Sequence, residues 1–470
     1  MFFIHISVIY VNTVKNNIEK SKIQWKNITV YGKITLYTLI KVKRMSKIKY
    51  DEIADGIRLL CVNTDKFKTN FINIDLFTPL GEDLPAQYVL TSLLAHISGH
   101  YPTVKSFNSK VESLYGASFE SSIGNYGDNM RMSFFLELPD DRFALYGEKP
   151  SVDAVDFLTD ILLNPLCENG KFRKEAASRE IRFALEDLEA KKNDKRAYAL
   201  SRLKQLMCED EKYGVDSEWL ESEIRSLSPE RLFKAYKKLL STAQIAVTAC
   251  GSLSEKMLCE KFTAFADKIE NRNPTDLSSE FVTEADEIRY FNESMKMMNQ
   301  SKLVIGLRSG MENDADNYYA YRIMTDVFGG GPYSRLFTNV REKLSLCYYC
   351  GARLIRQKGI IFIQSGIENE NYQMALDEIT EQLNVMKNGK FTEEELEASK
   401  RALADAYCGV EDSPSGVCTF FASQCFAESL VSGEEEAEAL LKVTREDVVK
   451  CAQKTVIDSV YLLYGEDSDE

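Results

Sequence analysis

Apolar and polar positions alternate cleanly in two early segments. Ile72, Ile74 and Leu76 mark a strand within residues 70–77, and Met130, Met132, Phe134, Leu136 and Leu138 mark another. A shorter strand signal covers 57–62. Between these runs the spacing changes to that of helices, over 84–98 and 104–114, the second ending at Tyr115-Gly116. Long helical stretches are predicted over 152–163 and from 172 to about 207. Ser228-Pro229-Glu230 places Pro where a helix begins, and a strand over 244–250 runs into Gly251.

The order then recurs. Leu303, Ile305 and Leu307 alternate as a strand, helices are predicted over 316–327 and 333–344, strands over 347–354 and 359–367, and helices from 372 and 392. A Thr444-capped helix, a strand over 459–464 and Gly465 close the second round as the first was closed. This is a duplication of some 200 residues rather than a solenoid repeat. Strands joined as hairpins with helices grouped after them predict an α+β fold: two homologous domains, each an antiparallel sheet with helices packed on one face. The domains are placed at 45–266 and 288–470. Residues 267–287 are polar, contain Asn273-Pro274 and read as linker.

Composition refines this little. The chain has 470 residues, 44% hydrophobic and 28% charged, with net charge -14. That length fits two domains, and the acidic balance disfavours nucleic acid as a partner. Residues 1–44 are basic, with seven Lys and one Arg against Glu19. The apolar start is too short for a membrane span, so no membrane partner is expected. The reading is an extension outside the fold, with Met45 as the true start or a basic tail as the alternative. Eleven scattered cysteines suit a reduced, cytoplasmic protein. Cys347 and Cys350 are the tightest pair, and on a regular strand they would face opposite sides, which favours packing over a metal or redox role.

The most specific run is Phe328-Gly329-Gly330-Gly331-Pro332-Tyr333-Ser334-Arg335-Leu336-Phe337, continuing to Arg341-Glu342-Lys343 and Tyr348. It lacks the Gly-Lys-Ser/Thr of a phosphate loop, and the glycines read as a helix-to-helix turn needing positive φ. This run resembles the second-domain signature of the M16 (insulinase/pitrilysin) zinc peptidases, and the resemblance extends over about residues 57–465. It is most similar to bacterial YmfF-type members, whose naming links them to elongation factor P modification. In active M16 members an Arg and a Tyr at the positions of Arg341 and Tyr348 bind the scissile carbonyl and stabilise the oxyanion. A fixed cation and a phenolic donor suit developing negative charge.

Active members also carry His-x-x-Glu-His on the first helix, with two His on one face and a Glu that activates metal-bound water. Here His96 and His100 have the spacing, but Gly99 stands between them and His100 lies past the helix end. Aligned on Gly99, the ligand positions become Leu90 and Leu94 and the general base Leu93, part of an apolar stripe. No metal site is therefore expected in this chain, and His96 with a carboxylate is the one candidate. Glu180 and Asp187 match a supporting Glu and the third ligand, but read more simply as a solvated acidic face. The strand 117–124 matches the family's substrate-pairing edge, which nominates Ser118, Glu120 and Ser121 for contact with an extended peptide. Such a chain makes chemical sense beside a HxxEH-bearing M16 paralogue that brings zinc, with a peptide or protein as substrate. The rival is a non-enzymatic scaffold or peptide-binding subunit.

Overall fold

The computed structural model describes residues 49–296, 298–312, 317–425 and 430–465. The basic extension 1–44 and Met45 lie outside them. The first half contributes strands β1 (Lys49–Ala54), β2 (Ile57–Asn63), β3 (Thr69–Pro79), β4 (Ser118–Tyr126), β5 (Asn129–Pro139), the short hairpin β6 (Cys167–Glu168) and β7 (Lys171–Phe172), and β8 (Gln244–Gly251). Its helices are α1 (Leu84–His96), α2 (Val104–Ser113), α3 (Pro150–Leu163), α4 (Lys174–Asn193), α5 (Lys195–Met207), α6 (Ser217–Arg225), α7 (Pro229–Thr242) and α8 (Glu255–Ala266). The second half supplies β9 (Arg289–Met295), β10 (Ser301–Arg308), β11 (Cys347–Ile355), β12 (Ile360–Ile367) and β13 (Val456–Gly465). Its helices are α9 (Tyr318–Gly329), a π-helix (Leu336–Lys343), α10 (Tyr372–Lys387), α11 (Glu393–Cys408), α12 (Pro414–Ala422), α13 (Gly433–Leu441) and α14 (Arg445–Lys454).

The duplication is visible in the strand orders. The first sheet runs β1-β2-β8-β3-β5-β4 and the second β11-β12-β10-β13-β9. Read from their β4 and β11 edges, both sheets place hairpin, first core strand and last strand in the same sequence. Each sheet is antiparallel except for one parallel pair, β2 with β8 and β13 with β9. Strands β1 and β9 carried no clear alternation and are additions to the predicted set.

Ile72, Ile74 and Leu76 face a core shared with Leu90, Leu93 and Leu94 of α1 and with α3 and α7. The opposite face of β3 is buried as well, because α12 from the second half lies across it. Cys418 Sγ reaches the Phe71 carbonyl at 3.9 Å, and Tyr126 donates to the Ser423 carbonyl at 3.0 Å. The exchange is reciprocal. Ala199, Leu203 and Met207 of α5 pack on Val304, Phe362, Tyr461 and Leu463 of the second sheet. The approach is so close that a Cβ on Gly306 would sit 2.3 Å from Met207 Sδ. Helices therefore cover both faces, one set from within each half and one helix from the other.

The single helix predicted from 172 to 207 is two. Asp194 ends α4 and caps α5, its carboxylate accepting from the Arg196 and Ala197 amides. The break lets α5 leave the first half. Between Ala266 and Arg289 the chain forms no helix or strand, yet it is held down. Arg272 donates to the carbonyls of Asp55, Gly56, Leu240 and Ala243.

A buried ionic network joins the halves. Lys358, fully buried in the β11–β12 turn, pairs with Asp128 of the β4–β5 turn at 2.9 Å and with Glu211 at 2.7 Å. Arg308 pairs with Glu211 at 2.8 Å and with Asp458 at 2.7 Å. Burial alone would raise the Glu211 and Asp458 carboxyls, but Lys358 and Arg308 hold Glu211 below its ordinary value, and bonds from Ser459, Arg308 and Arg289 do the same for Asp458.

Candidate functional site

The second-half motif divides into residues that hold and residues that point outward. Leu336 and Val340 are fully buried. Arg335 Nη1 donates to both carboxylate oxygens of Glu395, each at 3.0 Å, and Nε donates to Gln382 at 2.8 Å. These anchor the short helix. It is wound as a π-helix, with the Leu344 amide bonded to the Asn339 carbonyl five residues back, a form concentrated at functional sites. On its exposed side Arg341 lies over the Phe337 ring at 4.5 Å.

Two further irregularities follow. Ser345 has φ of 52°, the left-handed region. Tyr348 is then an extra residue in β11, since Cys347 pairs with Ile367 and Tyr349 with Gly366. Such a bulge re-aims a side chain. Tyr348 is 61% exposed and its hydroxyl donates to Glu368 Oε1 at 2.8 Å. That bond to a carboxylate raises the phenol, which keeps its proton as a hydrogen-bond donor. Tyr349, next in line, is pinned by Arg196 of α5, 4.3 Å above its ring.

Two expectations fail at this corner. None of Gly329, Gly330 and Gly331 has positive φ. They are small because the chain is crowded: a Cβ on Gly329 would meet the Ala352 backbone nitrogen at 2.6 Å, and one on Gly330 the Asp326 carboxylate at 2.0 Å. The bulge also undoes the alternation argument for the cysteines. With Tyr348 out of the count, Cys347 and Cys350 share one face.

In the first half β4 is an edge strand, bonded among the described residues only to β5. Ser118 and Glu120 are exposed along one side, and Ser121 is half-buried on the other beside Phe119 and Ile123. The strand borders two clefts. One, of about 520 Å³, takes in Ser118, Glu120, Arg131 and residues Ser415 and Thr419 at α12. The other, of about 470 Å³, is lined by Ala95, His96, Phe107, Phe119, Glu120 and Ser121. The structure thus puts Arg341 with Tyr348 at one corner of the second half, and Ser118, Glu120 and Ser121 on an edge of the first sheet.

On α1, Leu90, Leu93 and Leu94 are buried in the core, so these positions pack and face no cleft. The side that looks outward carries Ser92 and His96. They converge on Glu180 of α4: His96 Nδ1 lies 3.2 Å from Oε2, Ser92 donates to the same oxygen, and Arg179 Nε donates to Oε1 at 2.8 Å. Glu180 is fully buried, which corrects its reading as a solvated residue; Asp187 is exposed. Burial pushes the Glu180 carboxyl up, but bonds from His96, Ser92 and Arg179 outweigh it and hold the group at about 2. Sequence reasoning could have found this cluster from Ser92 and His96 at i, i+4. His100 turns elsewhere, to Asp160 at 2.6 Å. The set does not fit a zinc ion: it offers one imidazole, and a guanidinium occupies the carboxylate. Among the described residues no three His, Cys, Asp or Glu side chains are placed to hold a metal.

The chain has similar relatives among known proteins. The model of the M16 peptidase inactive domain matches residues 226–403. The chain is 26% identical over 415 residues to the probable inactive metalloprotease YmfF of Bacillus subtilis, covering 87% of this chain and 96% of that protein. It is 31% identical over 110 residues to the uncharacterized zinc protease YmxG of the same organism, 23% of this chain and 27% of that one. Among solved structures, a conserved protein from Enterococcus faecalis superposes with TM-score 0.80 at 24% identity, covering 90% of this chain and all of the other. A peptidase M16 inactive domain from Pseudomonas fluorescens gives 0.73 at 16% identity, with 90% of this chain and all of that one covered. With the duplicated sheets and the sequence likeness taken together, the chain is similar to the M16 peptidases, with an M16 inactive domain matched at residues 226–403 and no HxxEH motif in its sequence.

Proposed function

We propose that this chain is the Arg/Tyr subunit of a heterodimeric zinc peptidase in the cytoplasm, its metal brought by a HxxEH-bearing M16 paralogue. The observation that carries the reading is the corner itself: a π-helix and a bulge, two costly irregularities, present Arg341 and Tyr348 to solvent. An extended peptide adds to the open edge of β4 through main-chain bonds, with Ser118 and Glu120 on one side and Ser121 on the other. Arg341 and Tyr348 then supply the cation and donor for the oxyanion formed over the partner's zinc. The test is co-purification with the paralogue and peptide cleavage by the pair. Tyr348→Phe is expected to lower kcat about 100-fold, the loss typical of one oxyanion donor. Equal cleavage without the phenol overturns the catalytic assignment.

One observation favours a second reading. The Tyr348 hydroxyl is already given to Glu368, and a carboxylate there opposes a second negative charge. A non-enzymatic scaffold or peptide-binding subunit, tied to elongation factor P modification, needs β4 and not the phenol. Stable pairing and peptide binding with no cleavage by any assembly selects it.

A further inference from the structure

The bulge that turns Tyr348 outward also gathers two thiols. Residues three apart on a regular strand face opposite sides of the sheet. Because Tyr348 is extra in the ladder, Cys347 and Cys350 come to the same side, nearly enclosed within the second-half core. The two sulfurs are neighbours on that side, and Ser365, whose hydroxyl donates to the Tyr349 carbonyl at 3.0 Å, stands directly across from Cys350. The two thiols differ in how readily they ionise. Cys347 is lowered by the Cys350 bond first, against the pull of burial, then by Ser365 and the charge of Arg341. Cys350 is raised by the same bond and by burial. Cys408, exposed at the surface, is by contrast raised, by partial desolvation and by the carboxylates of Glu434, Asp405 and Glu411. A thiolate is the attacking species in thiol chemistry, and a neutral thiol beside it is a resolving partner.

We propose that Cys347 and Cys350 form a reactive dithiol that a hydroperoxide oxidises to a disulfide, and that this bond resets the bulge presenting Tyr348. The Cys347 thiolate attacks the peroxide oxygen, breaking the O–O bond and giving a sulfenic acid. In hydrogen peroxide the other oxygen leaves as water once protonated. The Cys350 sulfur then attacks the sulfenic sulfur and expels its oxygen as a second water. Two thiols lose two electrons and two protons, and the peroxide gains them. Two strand residues span roughly 6.6 Å, at the upper end of the ~4.4–6.8 Å that a disulfide tolerates between Cα atoms. The bridge therefore tightens the bulge and moves Tyr348 with it. The effect on cleavage rests on the proposed function; disulfide formation does not.

The test uses the full-length chain carrying Cys408→Ser, treated with hydrogen peroxide and mapped by mass spectrometry without reduction. The expected product is a peptide bridged at 347 and 350, formed ahead of oxidation at any other cysteine and reversed by dithiothreitol. Cys350→Ser is expected to leave Cys347 as a sulfenic acid that dimedone captures. Hydrogen exchange over residues 342–368 should differ between oxidised and reduced chains. Oxidation elsewhere with 347 and 350 still reduced overturns the dithiol, and unchanged exchange in a bridged chain overturns the reset of the bulge. A bridged chain with altered exchange, in a pair that cleaves without the phenol, leaves this inference standing and removes the catalytic reading.

Discussion

The hairpins β4–β5 and β11–β12 occupy equivalent places in the two sheets and have diverged at both ends. At their turns they meet, one bringing Asp128 and the other Lys358, so equivalent turns carry opposite charges that pair in the buried contact between the halves. At their far ends they part company. Strand β4 follows an ordinary helix, α2, whose Thr103 and Ser106 cap each other, and then the left-handed Tyr115 and Gly116. Strand β11 follows a π-helix and left-handed Ser345, and bulges at its second residue. The first half has kept the regular edge suited to pairing with a peptide. The second has the irregular corner suited to presenting two side chains. Divergence after duplication is concentrated where the halves touch and where they face solvent, while the core strands stay alike.

The comparison can be broken at several strengths. Lys358→Met should cost most, roughly 3–5 kcal/mol, because it leaves Asp128 and Glu211 as buried charges lacking this cation; urea unfolding measures it, and a loss below about 1 kcal/mol would mean the turns are not latched by charge. Glu180→Gln comes next, at roughly 2–4 kcal/mol near neutral pH. The sign follows from a folded carboxyl held at about 2 against an ordinary 4.5. Its stabilisation is complete above the unfolded value and is lost as pH falls from about 4.5 to about 2. The variant should flatten that acid limb in thermal unfolding followed against pH. Gly329→Ala should cost about 1–3 kcal/mol through overpacking against the Ala352 backbone, whereas a relief of strain would restore the positive-φ interpretation. Smallest in stability are Arg341→Gln and Tyr348→Phe, within about 0.5 kcal/mol as exposed changes. Tyr115→Phe is their control: its phenol also donates to a carboxylate, Glu148, but in the first half, and its loss should leave peptide cleavage by the proposed pair unaltered.

What the sequence made legible was whatever repeats along the chain. Alternation in β3 and β5 identified the sheet, and the recurrence of element order identified the duplication. The outward residues of the second corner were found only because the run from Gly329 to Tyr348 carries a family likeness. Periodicity could not anticipate a bulge, since a single extra residue at Tyr348 reverses every inference about which side Cys350 faces. It could not anticipate crowding, so the glycines were assigned to backbone conformation when backbone-to-backbone approach demanded them. Nor could it separate α4 from α5, because Asp194 within a charged run looks like another surface acid until its carboxylate is seen capping amides. Glu180 was misread for a related reason: its partners Ser92 and His96 stand some 85 residues away along the chain.

The exchanged helices have a consequence for how the protein is made. The outer face of β3 is closed by residues Pro414–Ala422, more than 300 positions downstream. During synthesis the first sheet can complete its helix-covered side as soon as β8 emerges, but its other side stays open until almost the whole chain has left the ribosome. At a typical ~5–20 residues per second that interval is on the order of ten seconds or more. For that time the face carrying Phe71 and Phe77, with Asn73 and Asp75 between them, is without its cover, and α5 is displayed with no sheet to receive it. The nascent first half therefore leaves open a face and a helix that the finished protein keeps covered.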